Sequence, residues 1–519
     1  MKKVLTAFLL MASVVFCVGQ SLEYTEVEKP NKFKGVEPID GLGYFAFMID
    51  GKASRKEKIY NFYIWDYDLS KIAETKEILP KYSEILDSDF NGTSFLIAAL
   101  DTRREEITLI TYDLKGKKIA SKLIDDYKLL DDNEDWLAKF YADPGNGYYG
   151  IIPGKNKGYG FTLVKYDNKL KEVWSKPYFT KKTVQTIFDA KSDEGKFVVI
   201  KSDAGKMSQK RAEIEITAYD SEKGSTLWSF DLNEEDRICY PTEFAFNEKG
   251  EIAVAGMYFL GEKLKAKNSD GIFFKNINPD GKVIAESYQA WEGELQEFLK
   301  ATRRKSLTVS KAKVVFDDII FDQKSGKIIV VGELFTIGAD RSIGGLLAGG
   351  SIPLFNLENI LVFTFNQQAE LLDFYDVKKA RDQIGVPYNN GNLGVKAIGF
   401  AKKLKMLAYR YQTFDDDGNI LIFYRDYVKV VDGNAVSAET YKFNQFALGI
   451  LNLSESSGDN ISNRLIPLSV KTIKKLEEQE IEIEKRDIIY ITESKIGKVL
   501  ISTFNRKEKS LTLNLLDIN

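Results

Sequence analysis

The 519-residue chain contains no histidine. That absence excludes Ser-His-Asp and Cys-His relays, imidazole metal ligands and imidazole acid–base chemistry near neutral pH. Any catalysis would fall to carboxylates, lysine, tyrosine or a bound cofactor. Cysteine is almost as scarce, with Cys17 and Cys239 alone. Cys17 lies in an N-terminal leader, so the rest of the chain has one thiol and no internal disulfide. Cys239 is expected to be a small buried hydrophobe, since a reactive thiol would need a basic neighbour to lower its pKa. Stability must then come from a large buried core, which a chain of this length can supply. Neither sign of charge dominates: 73 Lys and Arg face 76 Asp and Glu, a net charge of −3. No basic stretch stands out, so nucleic acid is not an expected partner.

Long apolar runs are missing as well, apart from the one at the N-terminus. Met1-Lys2-Lys3 is a basic start, Val4–Phe16 is apolar, and Cys17-Val18-Gly19 ends in a small residue suited to cleavage. Residues 1–19 read as a secretory signal peptide, and the apolar part is short for a membrane span. A lipoprotein anchor at Cys17 is the rival reading, but bulky Phe16 stands where such signals carry a small residue. Losing Lys2 and Lys3 would bring the charge to about −5. The expected product is exported, periplasmic or extracellular, without a transmembrane span, and monomeric.

What the chain has in abundance is a short β-rich run that ends in Asp or Asn and then turns. Eight copies occur: Phe62–Asp68 (FYIWDYD), Ile107–Asp113 (ITLITYD), Phe161–Asp167 (FTLVKYD), Ile214–Asp220 (IEITAYD), Ile272–Asn278 (IFFKNIN), Ile360–Asn366 (ILVFTFN), Ile420–Asp426 (ILIFYRD) and Leu511–Asp517 (LTLNLLD). An Asx side chain there can bond the backbone ahead of it and shape a tight turn. Between the copies lies a second pattern, a Gly or acidic turn followed by a compact apolar strand, as in Asp193–Asp203 and Lys324–Leu334. Spacings of 45, 54, 53, 58, 88, 60 and 91 residues separate the Asx ends. Periods near 40–50 residues belong to four-stranded propeller blades. Helical periodicity is nearly absent, which disfavours a βαβ fold.

These features predict an all-β chain: a single β-propeller over residues 20–519, eight-bladed (seven is the alternative count), with four-stranded antiparallel blades. Insertions are expected near 289–311, 338–358 and 452–487. The last copy stops at Asp517, where the others turn into another strand. Its partner is therefore expected from the N-terminal segment near Leu22–Val27, pairing with Leu511–Leu516 and closing the ring without open edges.

At Ala218–Phe230 the sequence reads AYDSEKGSTLWSF, a strand, an Asp, a Gly turn and a Trp on the outgoing strand. It resembles the blade repeat of quinoprotein-type (PQQ-repeat) β-propellers, and Val164–Trp174 (VKYDNKLKEVW) is a weaker match. The outgoing Trp occurs in two of the eight units, at Trp174 and Trp228. The resemblance implies the fold. Quinoprotein enzymes also use a specific cofactor ligand set and often a vicinal disulfide, which one Cys cannot form. The non-enzymatic relatives that serve as periplasmic interaction platforms are the closer analogy.

Candidate sites are few. Asp87-Ser88-Asp89-Phe90-Asn91-Gly92 starts like a calcium loop, but position twelve is Ala98 where a bidentate Glu belongs, so a blade turn is favoured over a calcium site. Phe414-Asp415-Asp416-Asp417-Gly418-Asn419 is likewise read as an Asp-Gly hairpin turn. Asp131–Asp135 reads as a solvated acidic loop, against a pair of glycosidase carboxylates. Apolar residues in the insertions, Trp291 and Phe298 on a short amphipathic helix and Leu346 and Leu347 in a Gly-rich loop, are the candidate partner-binding residues. Packing on the propeller rim is the alternative for all four. No cofactor is expected. The function expected is non-catalytic binding or scaffolding of a protein or glycan. The alternative is a carboxylate-based polysaccharide hydrolase or lyase at the central channel.

Overall fold

A computed structural model describes residues 18–24, 36–39, 41–125, 138–154, 159–180, 183–205, 213–261, 269–293, 295, 313–339, 353–385, 402, 406–415, 417–431, 434–438, 445–453, 461–468, 488–505 and 509–518. The fold is all-β, an eight-bladed β-propeller with four-stranded antiparallel blades. Blade 1 runs through Glu37–Ile39, Gly43–Lys52, Glu57–Asp66 and Lys71–Pro80, and blade 2 through Ser83–Phe90, Ser94–Asp101, Glu106–Asp113 and Lys118–Ile124. Blade 3 is Lys139–Asp143, Gly147–Gly154, Tyr159–Tyr166 and Glu172–Thr180; blade 4 is Thr183–Asp193, Lys196–Gly205, Glu213–Asp220 and Thr226–Asp231. Blade 5 is Arg237–Phe246, Ile252–Leu260, Gly271–Ile277 and Val283–Ala290. Blade 6 is Lys313–Asp322, Lys327–Ala339, Pro353–Phe365 and Leu371–Val377, with Asp382–Gly385 added alongside the third strand. Blade 7 is Tyr409–Phe414, Ile420–Val431, Gln445–Leu453 and Ile461–Pro467, with Asn434–Ser437 paired to the second strand.

Blade 8 takes Ile488–Glu493, Lys498–Asn505 and Ser510–Asp517 from the C-terminal end and Val18–Tyr24 from the N-terminal end. The expected pairing of the two ends is present, with Leu22 opposite Leu513 and Tyr24 opposite Leu511. The N-terminal strand lies a few residues earlier than the sequence suggested, and it begins inside the 1–19 segment. Tyr24 then anchors the seam: its hydroxyl accepts a 2.7 Å hydrogen bond from Trp65 Nε1, and its ring lies 5.2 Å from that of Tyr63.

The chain forms two compact units. One is Met1–Lys81, Arg410–Phe423 and Phe446–Asn519, and the other is Tyr82–Tyr409 and Tyr424–Gln445. The first carries blades 1 and 8, the second carries blades 2 to 6, and the strands of blade 7 divide between them.

Seven of the eight Asx-ended runs are the third strand of a blade, and an Asp or Asn at the strand's end shapes the turn to the fourth wherever that turn is described; in Phe62–Asp68 this residue is Asp66, while the terminal Asp68 lies within the turn and pairs with Lys495. Asp113 Oδ1 accepts the N–H groups of Lys115 and Lys117 at 2.9 and 2.8 Å, and Asp66, Asp167 and Asn278 repeat this geometry. The exception is Ile420–Asp426, which forms a second strand. Asp426 is buried in mid-strand, where its Oδ1 accepts Ala380 N–H at 2.8 Å. The apolar runs of the second pattern are second strands, such as Lys196–Gly205 and Lys327–Ala339.

Candidate functional site

The first strands of blades 2, 4, 5 and 6 share one device. Each is bulged, and the residue just past the bulge is an acid: Asp87 opposite Ala98, Asp189 opposite Ile200, Glu243 opposite Ala255 and Asp318 opposite Val331. A bulge adds one residue and re-aims the side chains beside it. In blade 2 it turns the acid toward the neighbouring blade. Asp87 Oδ2 accepts Phe140 N–H of blade 3 at 2.8 Å, and Asp89 Oδ2 accepts Ala142 N–H at 2.7 Å. Asp87–Phe90 is therefore strand, neither a calcium loop nor the blade turn expected from the sequence. The turn is confined to Asn91 onward, where Asn91 Oδ1 accepts Thr93 N–H and Ser94 N–H.

In blades 4 to 6 the acids enter a larger buried network. Glu243, 4% exposed, accepts Lys191 Nζ at 2.5 Å and also pairs with Lys402. Lys402 comes from the long connection between blades 6 and 7. Its ammonium also donates to Thr242 O at 2.9 Å and Phe316 O at 2.7 Å, so it spans the first strands of blades 5 and 6. Thr242 Oγ1 in turn accepts Phe316 N–H at 3.0 Å. Asp318 Oδ2 accepts the hydroxyl of Tyr409 at 2.5 Å. Behind them, Glu333 is fully buried against Lys379 at 2.6 Å and accepts Ala408 N–H at 2.8 Å. Arg425 closes the network, donating to Asp382 at 2.6 Å and to Met406 O at 3.0 Å.

Burial sets the electrostatics. Loss of water pushes the Asp318 carboxyl up, and the nearby charge of Glu243 adds to this. Asp317, the extra residue of the blade 6 bulge, is pushed much further up by burial; Lys402 opposes the shift, and Glu333 and Glu243 reinforce it. Its Oδ2 is buried and meets no hydrogen-bond partner among the described residues. For Lys191 burial works downward, but Glu243 and Asp189 outweigh it and hold the ammonium above its ordinary range.

Beside this network lies a cavity of about 190 Å³, whose lining includes Phe188, Asp189, Tyr240, Thr242, Glu243 and Lys402. Phe188 and Tyr240 meet edge to face, with ring centroids 4.8 Å apart. Asp189 is half-buried; its Oδ1 accepts Ala190 N–H at 2.9 Å, and its Oδ2 meets no donor among the described residues.

Trp291, the one proposed partner-binding residue among the described residues, does not line this cavity. Trp291 is 2% exposed, with its Nε1 donating to Ser269 Oγ at 2.8 Å, so it belongs to the core and offers no exposed apolar surface. Phe298, Leu346, Leu347 and the acidic run Asp131–Asp135 lie outside the described residues. Asp415 is a turn residue, as expected: its Oδ1 accepts Asp417 N–H at 3.0 Å and Asn419 N–H at 2.8 Å. Cys239 is fully buried, and its thiol is pushed up to about 11 by burial. Among the described residues no group of three or more Cys, Asp or Glu is placed to hold a metal ion, and no helix is long and apolar enough to cross a membrane. The bulged acids were missed by sequence reasoning. Their signal was an acid set inside an apolar strand, three or four residues before its turn, as in Ile187-Phe188-Asp189-Ala190 and Pro241-Thr242-Glu243-Phe244.

A family described as a "Family of unknown function" (DUF6770) matches residues 1–464. Nothing among curated proteins matches the chain. Solved structures with a likeness include the β-propeller domain of the Trilobed protease from Pyrococcus furiosus, at 10% identity and a TM-score of 0.32, covering 69% of this chain and 99% of that one. A member of the DUF4221 family from Bacteroides vulgatus is 9% identical with a TM-score of 0.28, covering 83% of this chain and 99% of that one. A protein of unknown function from Bacteroides caccae is 11% identical with a TM-score of 0.26, covering 64% and 93%.

Proposed function

The chain belongs to the DUF6770 family, and we propose that it is an exported, non-catalytic binding propeller. One observation carries the reading: of the two acids that line the cavity, Asp189 and Glu243, the second is already used. Glu243 is held between Lys191 and Lys402, and Asp318 is held by Tyr409. Carboxylate-based cleavage of a glycosidic bond needs two carboxyl groups free to act on opposite sides of that bond. At this cavity only Asp189 keeps an oxygen without a protein donor among the described residues. A lone carboxylate can orient a ligand but cannot supply both the acid and the base or nucleophile. The absence of histidine removes the usual substitute. The N-terminal leader supports export. Cleavage after Gly19 would leave Ser21–Tyr24, which carry most of the pairing to the C-terminal strand. The closeness to non-enzymatic PQQ-repeat platforms is part of this proposal, and so is a monomeric state.

The test is incubation of the purified chain with a panel of soluble polysaccharides, followed by assay for new reducing ends and for unsaturated products. No product is expected. Product formation that disappears in Asp189→Asn would overturn the non-catalytic reading.

A further inference from the structure

We propose that the cavity beside the first strands of blades 4 and 5 is a binding site for a single neutral hexose ring. The proposal deepens the non-catalytic binding reading and rests on it. Size comes first. A cavity of about 190 Å³ is larger than the ~150 Å³ that suffices for one benzene ring, so it holds one six-membered ring and excludes a second.

Charge comes next. Lys191 and Lys402 both pair with Glu243, and Asp189 lies near Lys191, so the cavity is bordered by charges of both signs already set against one another. A ligand with net charge would leave one buried charge uncompensated, which is costly. A neutral ligand avoids that cost. Hydrogen-bonding capacity then narrows the class. Asp189 Oδ2 is an open acceptor. Thr242 Oγ1 already accepts Phe316 N–H, and its own hydroxyl proton remains available to donate. One acceptor and one donor in the same lining suit hydroxyl groups on a ring, each of which both gives and takes. Lys402 is not part of this set, because its three donors are spent on Thr242, Glu243 and Phe316. The remaining wall is apolar and aromatic, from Phe188, Tyr240 and Phe244. A hexose presents a C–H face to such a wall while its hydroxyls reach the polar one. Few polar groups in a largely apolar pocket is the ordinary plan of a small-molecule site.

The experiment is a proton NMR titration of the purified chain with four probes: methyl β-D-glucopyranoside, methyl β-D-galactopyranoside, choline and acetate. At least one glycoside is expected to give saturable transfer from the protein, and choline and acetate none. Asp189→Asn should weaken that binding by about tenfold or more. Thr242→Val, which keeps the shape and removes the donor, is the second variant should Asp189→Asn fail to fold. Saturation by neither glycoside, saturation by choline or acetate alone, or glycoside binding unchanged in the folded variants would overturn the site. Methanol released from a glycoside would contradict the non-catalytic reading while confirming that the ring binds, so the two failures are told apart in one spectrum.

Discussion

Asp317 sits where a carboxylate charge is costly. It is the extra residue of the blade 6 bulge, its Oδ2 is buried without a partner among the described residues, and burial holds its carboxyl far above the usual range. The consequence for stability has a definite sign. In the unfolded chain the group ionises near the ordinary Asp value, about 3.9. In the folded chain it keeps its proton to higher pH. The folded state then binds more protons than the unfolded one, so stability falls as pH rises from the unfolded pKa toward the folded one. Each pH unit within that window is worth about 1.4 kcal/mol. Asp317→Asn removes the ionisation and keeps the shape. The variant is expected to melt like the parent near pH 4 and progressively higher than the parent as pH rises from there. Thermal melts across that range check this; a constant difference between the two proteins would show that Asp317 does not titrate differently on folding.

At the scale of elements, blades 3, 4 and 5 are joined by tryptophans of outer strands. Trp174 Nε1 donates to Ser221 O at 2.9 Å, in the third turn of blade 4, and Trp228 Nε1 donates to Pro279 O at 3.0 Å, in the equivalent turn of blade 5. Each indole lies against a glycine of that turn. Gly281 has φ +81°, and a Cβ there would come 2.4 Å from the Trp228 ring; Gly224 stands in the same relation to Trp174. Gly281→Ala therefore combines backbone strain with a clash and is expected to cost about 2–3 kcal/mol. Chemical denaturation measures it, and a cost below about 0.5 kcal/mol would show that the indole is not docked. This arrangement was partly legible. The Asp, the Gly and the Trp of AYDSEKGSTLWSF stand within one hairpin, so the sequence shows the unit. It does not show that the Trp of one blade answers the turn of the next. The bulged acids were less legible still. Glu243 and Lys402 are 159 residues apart, and neither stands in a local pattern that announces the other. Local turn chemistry repeats along the chain and can be read from it. Charge pairing between blades is decided by packing, and can be read only from the fold. Ile420–Asp426 marks the boundary between the two cases. It has the composition of the repeat, but its Asp is bonded to Ala380 instead of shaping a turn.

For the molecule as a whole, the reading turns on the eighth blade. The repeat runs out at Asp517 with one strand owing, and Val18–Tyr24 supplies it from the other end of the sequence. That single pairing accounts for the four-stranded count of the last blade and leaves no unpaired edge on Ser510–Asp517. It also places Leu22 and Tyr24 against the core of blades 1 and 8, among Trp65, Leu511 and Leu513. The most direct measurement compares the thermal unfolding of chain 20–519 with that of chain 25–519, which lacks the seam strand. The account predicts a melting temperature lower by several degrees or more in the shorter chain, since it exposes a paired edge and empties the place of Tyr24 beside Trp65. Superimposable unfolding curves would contradict it.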